Sequence, residues 1–172
     1  MKLNKYIVFV ILAIIVIALD QITKMYIHTE FTYGQSKTII PEFFNLTYVR
    51  NQGAAFGIFR DSAETFRHIF FLAIPPIAVL IILGYLKATP SWDRIQIWAL
   101  SGIAGGALGN YVDRIKYGYV IDFLDFHYKG MYHYPSFNIA DSAIVVGVAI
   151  LFFLTLRDMR KEKKLLNNES TL

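Results

Sequence analysis

A membrane bundle of four α-helical spans, with a small sheet on its outer side, is the fold class this sequence predicts. Three observations predict it. Of the 172 residues, 55% are hydrophobic and only 17% are charged, whereas soluble domains carry roughly 25% charged residues. Four stretches approach or reach the ~20 mainly apolar residues needed to cross a hydrocarbon core. Between the first and second of them lies a run rich in aromatic and β-branched residues, the composition of strands.

The first span covers about 6–27. Lys2 and Lys5 precede it, as in a secretory signal, but Ala18-Leu19-Asp20-Gln21 has no small-x-small cleavage pattern and three more spans follow, so a retained helix is expected. The others cover about 69–86, 95–112 and 138–156. Lys and Arg near span ends mark the cytoplasmic side. Lys2 and Lys5, then Lys87 and Arg94, then Arg157, Arg160, Lys161, Lys163 and Lys164 all fall on one side of a four-span chain. Both termini are therefore expected in the cytoplasm, with the long connections 28–68 and 113–137 on the outer face. In the first connection, Lys37-Thr38-Ile39-Ile40 before Pro41 and Phe43 to Val49 predict strands. The small and aromatic residues from Gly53 to Phe59 suit the membrane interface or a substrate path. No internal repeat is visible, so residues 1–172 form a single domain.

The composition also excludes chemistry. With no cysteine, the chain has no disulfide, no thiolate nucleophile and no thiolate metal site. The net charge is +4, but the densest basic run is the tail after the last span, which fits membrane orientation rather than nucleic-acid binding. His28, His68, His127 and His133 are scattered without an H-E-x-x-H pattern, so neither a metal nor a cofactor is expected. Ser101, Ser136 and Ser142 lack a G-x-S-x-G elbow, and Ser142 suits helix packing.

Polar and ionisable residues at membrane depth suggest function by default. Here they are Asp20 in the first span, Asn110, Asp113 and Arg114 at the outer end of the third, Asp122 and Asp125 beyond it, and Asn138 and Asp141 opening the fourth. All map to the outer half of the molecule. Asn110 and Arg114 share a helix face, as do Asn138 and Asp141. Nineteen residues separate Asp122 from Asp141, enough for the connection to bring the two carboxylates together. Two neighbouring carboxylates share a proton, which supplies a base to activate water and an acid to assist the leaving amine. Asp141 also has a structural reading, because acidic residues favour helix N-termini. Asp113 is either functional or a structural ion-pair partner of Arg114, and Asp125 is an exposed or supporting carboxylate. The asparagines suit either holding a peptide backbone or joining helices. Gly102 with Gly106, and Gly105 with Gly109, let helices approach closely. A proton- or ion-coupled transporter using Asp20, Asp122 and Asp141 is the rival reading; against it, the polar cluster lies at the outer ends of the spans and no inverted repeat is visible. A non-enzymatic assembly protein is a third.

The runs Gly105-Gly106-Ala107-Leu108-Gly109-Asn110-Tyr111-Val112-Asp113-Arg114, Gly118 to Phe126 and Pro135-Ser136-Phe137-Asn138-Ile139-Ala140-Asp141-Ser142 resemble the signature of the lipoprotein signal peptidases, or signal peptidase II family. Asp20-Gln21-Ile22-Thr23-Lys24 and Val49-Arg50-Asn51-Gln52-Gly53-Ala54-Ala55-Phe56-Gly57 agree, and the match runs in order along the whole chain. The resemblance implies an aspartic endopeptidase of the bacterial inner membrane, and a monomer is expected. It would cleave diacylglyceryl-modified prolipoproteins before the lipidated cysteine and be inhibited by globomycin. It implies Asp122 and Asp141 as catalytic residues and Asp20, Asn51, Asn110, Arg114 and Asn138 as their polar surround. It also implies an outer β-cradle and a short helix lying on the membrane.

Overall fold

The computed structural model describes residues 4–53 and 64–169. Four long helices and four strands occur among them, in the order α1 (Lys5–Glu30), β1 (Ser36–Ile40), β2 (Phe44–Asn51), α2 (Glu64–Ala88), α3 (Arg94–Tyr117), β3 (Val120–Tyr128), β4 (Tyr132–His133) and α4 (Ile139–Glu169). α1, the 69–88 part of α2 and the 139–165 part of α4 are long and apolar enough to cross a membrane. Their outward faces are apolar, with Leu80 and Ile81 each 68% exposed and Val145 and Phe153 each 66%, as lipid-facing surfaces require. α3 has the length of a span at 24 residues, but it is not among the apolar helices. Its composition is diluted by Gly102, Gly105, Gly106 and Gly109 and by Asn110, Asp113 and Arg114, all of which have structural or site duties.

Those glycines make α3 the middle of the bundle. A Cβ on Gly105 would lie 2.8 Å from the Ala13 carbonyl oxygen of α1, and one on Gly109 would lie 2.7 Å from Asp20 Oδ2. A Cβ on Gly102 would meet Ala143 of α4, and one on Gly106 would collide with the Ala140 carbonyl and reach within 2.8 Å of Ile144 Cγ1. The two small-residue rows expected from the sequence thus divide between two neighbours: Gly105 and Gly109 toward α1, Gly102 and Gly106 toward α4. Replacing Gly106 with Leu is expected to wedge α3 off α4, with a loss of thermal stability on the scale of about 1–3 kcal/mol or more, the cost of overpacking. Unfolding in detergent followed by tryptophan fluorescence measures it.

The helix ends are set by local chemistry. Asn4 and Asp93 cap α1 and α3 by accepting from the backbone N–H of Tyr6 and Gln96. α3 stops at Gly118, whose left-handed φ of 76° returns its N–H to the Arg114 carbonyl. Lys5 donates to the carbonyls of Lys87 and Thr89 at 2.9 and 2.7 Å, joining the start of α1 to the end of α2. α4 continues well past the expected end near 156 as far as Glu169. The reason is intrinsic: from Leu151 onward the sequence has no Gly or Pro and is rich in Leu, Lys, Arg and Glu, which are good helix formers.

At the opposite end from Lys5 sits an antiparallel sheet in the order β1-β2-β3-β4. β1 and β2 were legible in the sequence, whereas β3 and β4 lie in the stretch expected only to be a connection. A bulge between Leu46 and Val49 resets the register, so that Val49 faces Asp122 and Asn51 faces Val120. Ile121 and Phe123 pack with Tyr48, Ile27 and Phe31 in a core between the sheet and the end of α1. A second core of Phe9, Ile82, Leu86, Ile97, Leu100 and Ala104 fills the far end of the bundle. The expected short membrane-surface helix has no counterpart among the described residues. Residues 54–63, which include most of the Gly53 to Phe59 segment, lie outside them.

Candidate active site

Between these two cores, where β3, the end of α3 and the start of α4 meet, the polar residues of the sequence converge. The first turn of α4 organises them. Asn138 precedes the helix, and its Oδ1 accepts the Asp141 backbone N–H at 2.9 Å, while Asp141 Oδ2 accepts the Asn138 N–H at 3.3 Å. This is a reciprocal capping box, with Asp in the position usually taken by Glu. The remaining end of Asn138 is turned inward: its Nδ2 lies 2.7 Å from Asp122 Oδ1 and 3.1 Å from Asn110 Oδ1. One fully buried residue therefore holds both carboxylates, Asp122 through its side-chain amide and Asp141 through its backbone N–H.

Each carboxylate has a further amide. Asn51 Nδ2 donates to Asp122 Oδ2 at 3.0 Å, and Asn110 Nδ2 donates to Asp141 Oδ1 at 2.7 Å. Asp122 is 2% exposed. Burial, and secondarily the negative charge of Asp141, push its pKa up to about 7, against the opposing hydrogen bonds from Asn51 and Asn138. The structure thus brings together Asp122, Asp141, Asn51, Asn110 and Asn138.

Asp20 lies one layer below. Its Oδ1 accepts the Ala140 N–H at 2.9 Å, satisfying an otherwise open donor in the first turn of α4. Its Oδ2 pairs with Lys24 at 2.8 Å. Lys24, 1% exposed, is the residue that sequence reasoning passed over. Its ammonium also meets Asp113 Oδ2 at 3.0 Å and Asn110 Oδ1 at 2.8 Å, so all three of its N–H donors have acceptors. With Lys24 and Asn138 both donating to Asn110 Oδ1, the Asn110 amide can turn only its Nδ2 toward Asp141. The overlooked signal was an acidic and a basic residue four apart in an apolar helix, a spacing that puts opposite charges on one face.

Asp113 is correspondingly a structural carboxylate, with Lys24 rather than Arg114 as its ion-pair partner. It accepts from Gln21 Nε2 at 2.9 Å and from the Ile121 N–H at 3.1 Å, tying β3 to α3 and α1. Arg114 stands at the edge of the site. It donates to the Gly53 carbonyl at 3.3 Å, covers the Phe71 ring at 4.7 Å and lies within electrostatic reach of Asp141 and Asp122. Asp125 is not exposed. It is an odd number of residues along β3 from Asp122 and so faces the other side of the sheet, where it accepts from Asn45 Nδ2 at 3.1 Å and meets His133 Nδ1 at 2.9 Å. His127 stacks on His133, away from the two site carboxylates. Among the described residues, no group of three or more His, Cys, Asp or Glu is arranged to hold a metal.

Fold and site together define a helical membrane protein with two hydrogen-bonded carboxylates at the seam of bundle and sheet. The sequence profile of the family described as Signal peptidase (SPase) II matches residues 12–157. The lipoprotein signal peptidase of Syntrophus aciditrophicus is 45% identical over 158 residues, covering 92% of this chain and 96% of that protein. That of Clostridium tetani is 38% identical over 157 residues, covering 91% and 97%. A bacterial membrane enzyme solved in meso at 2.3 Å superposes with a TM-score of 0.79 at 34% identity, covering 88% of this chain and 89% of that one. The chain belongs to the signal peptidase II family, and it is accordingly a peptidase; these relatives lend nothing to the transporter reading.

Proposed function

We propose that this protein is an aspartic endopeptidase of the bacterial cytoplasmic membrane that removes signal peptides from diacylglyceryl-modified prolipoproteins, cutting before the lipidated cysteine. The observation that supports the catalytic type is Asn138, a buried residue whose side-chain amide donates to the Asp122 carboxylate and whose backbone N–H donates to that of Asp141. The substrate class rests on the relatives and on the family signature.

In this mechanism Asp122 carries the proton of the pair and Asp141 is the ionised base. Asp141 takes a proton from water as the oxygen attacks the scissile carbonyl carbon. Asp122 hydrogen-bonds the developing oxyanion and then protonates the departing amine. Asn51, Asn110 and Asn138 keep both carboxylates oriented, and Arg114 serves the substrate's backbone carbonyls or lipid-bearing end. No step uses a metal. α3 is the fourth span: at 24 residues it is about 36 Å long and lies between α1 and α4, two apolar helices. Both termini are then cytoplasmic, the site is near the outer face, and the protein acts as a monomer inhibited by globomycin-type peptides.

The decisive assay offers purified protein in detergent, with EDTA, a diacylglyceryl-modified prolipoprotein and its unmodified precursor. Release of the signal peptide from the modified form alone is expected, and cleavage that requires added zinc would overturn the mechanism.

The pH dependence has a defined sign. Asp122 is a carboxyl group raised to about 7, so the proton-sharing form is lost as pH rises through that value, and kcat/KM should fall about tenfold per unit beyond it. The Asn51 hydrogen bond holds this value down. Asn51→Ala should therefore move the alkaline limb upward, and a limb that stays put would remove Asp122 from the proton-holding role. The same raised value makes ionisation of Asp122 a folding cost, so its contribution to stability falls between about pH 4 and pH 7.

A further inference from the structure

The rim of the sheet carries a constellation that the carboxylate pair does not use. Arg50 precedes Asn51 on β2, and strand alternation turns it to the opposite face. Its guanidinium carbon lies 4.9 Å from the Tyr33 ring centroid, 5.0 Å from Tyr119 and 5.3 Å from Tyr48. Its Nε donates to Tyr48 Oη at 3.2 Å, and that hydroxyl is itself anchored 2.6 Å from His28 Nδ1. An exposed arginine ordinarily samples many rotamers. Here three rings and one hydrogen bond fix it, while its two terminal nitrogens have no acceptor among the described residues.

The position narrows what the fork is for. Tyr33 follows the end of α1 and Tyr119 follows the end of α3, so the cage stands where the bundle meets the sheet. Ile22 and Tyr26 on the last turns of α1 are 67% and 57% exposed, a lipid-facing apolar surface ending in an aromatic residue at interface height. Tyr117 stacks on Tyr119 at 5.7 Å and carries Lys116 over its ring at 4.9 Å, adding a second cation to the same edge. No carboxylate among the described residues pairs with Arg50. An oriented guanidinium fork at headgroup depth matches a phosphate, which it can grip with two parallel N–H bonds.

We propose that Arg50, caged by Tyr33, Tyr48 and Tyr119, is a seat for the phosphate group of a phospholipid in the leaflet on the sheet side, distinct from the peptide-bond site. The seat fixes the edge of β2 against the lipid surface one residue before Asn51, which holds Asp122.

Native mass spectrometry of the full chain from maltoside micelles tests this, with phosphatidylglycerol and a phosphate-free galactosyl diacylglycerol as the probes. Wild type is expected to retain one phosphatidylglycerol about tenfold more tightly than the glycolipid, the scale of a charged hydrogen-bonded contact, and Arg50→Gln should abolish that preference. Tyr33→Ala keeps the cation but opens the cage, and should lose part of the preference. Equal retention by wild type and both variants overturns the proposal. Competition with inorganic phosphate separates the sources: no displacement supports the lipid headgroup, whereas displacement at equal concentration overturns the lipid assignment. Prolipoprotein cleavage by the variants in detergent reports their folding. Because lipid retention is read without catalysis, its failure is distinguishable from failure of the peptidase reading.

Discussion

Replacing either Asp122 or Asp141 with asparagine should reduce prolipoprotein cleavage by about four orders of magnitude, to the level left when a catalytic unit loses a member. The two substitutions fail for different reasons. Asn at 141 accepts and donates but cannot take a proton from water, and the reciprocal cap with Asn138 weakens with the lost charge. Asn at 122 removes the acid and meets two amide donors, Asn51 Nδ2 and Asn138 Nδ2, so one of its neighbours must turn away. Both variants should still bind substrate, which separates lost chemistry from lost binding. A gel-shift assay of signal-peptide release settles the matter, and wild-type cleavage by either variant would sink the pair as catalysts.

The second large effect is on stability. Lys24→Met should strand Asp20 and Asp113 as buried carboxylates without their shared cation, a change that costs about 3–5 kcal/mol in comparable buried pairs. It should also release Asn110 Oδ1 and let that amide flip, withdrawing its donor from Asp141. The expected outcome is a lower unfolding temperature in detergent together with little activity in the folded fraction. Adding Asp113→Asn to Lys24→Met should recover part of the stability, since it removes one stranded charge. If Lys24→Met melts like wild type, the ammonium is not the keystone of this layer.

What the sequence made legible follows the strength of each physical signal. α1, α2 and α4 were readable because an apolar stretch of span length has few alternatives. β2 was readable from its aromatic and β-branched residues. β3 was not, although Val120, Ile121, Phe123 and Phe126 have the same character: Asp122 and Asp125 break the apolar alternation, and their chemistry drew attention away from their backbone. Asp122 and Asp141 emerged from charge, depth and spacing only as plausible neighbours, and the family signature promoted them. Asp113 was singled out, but its pairing with Lys24 stayed hidden because the contact joins α1 to α3, and sequence spacing reports partners within a helix far better than partners between helices. The resemblance carried Asn51, Asn110 and Asn138, but it could not show that Asn138 serves both carboxylates at once.

The Ala140 N–H held by Asp20 has a consequence for biogenesis. Asp20 belongs to α1 and Ala140 to α4, which is made after α1, α2 and α3, so the hydrogen bond that finishes the opening turn of α4 closes only once all four helices are in place. A nascent chain with three helices in the bilayer lacks Asp141, and one with four unassembled helices lacks its support. If Asp141 is the base proposed above, proteolytic competence arrives together with assembly of the fourth helix, and a half-made chain has no means of cutting its neighbours.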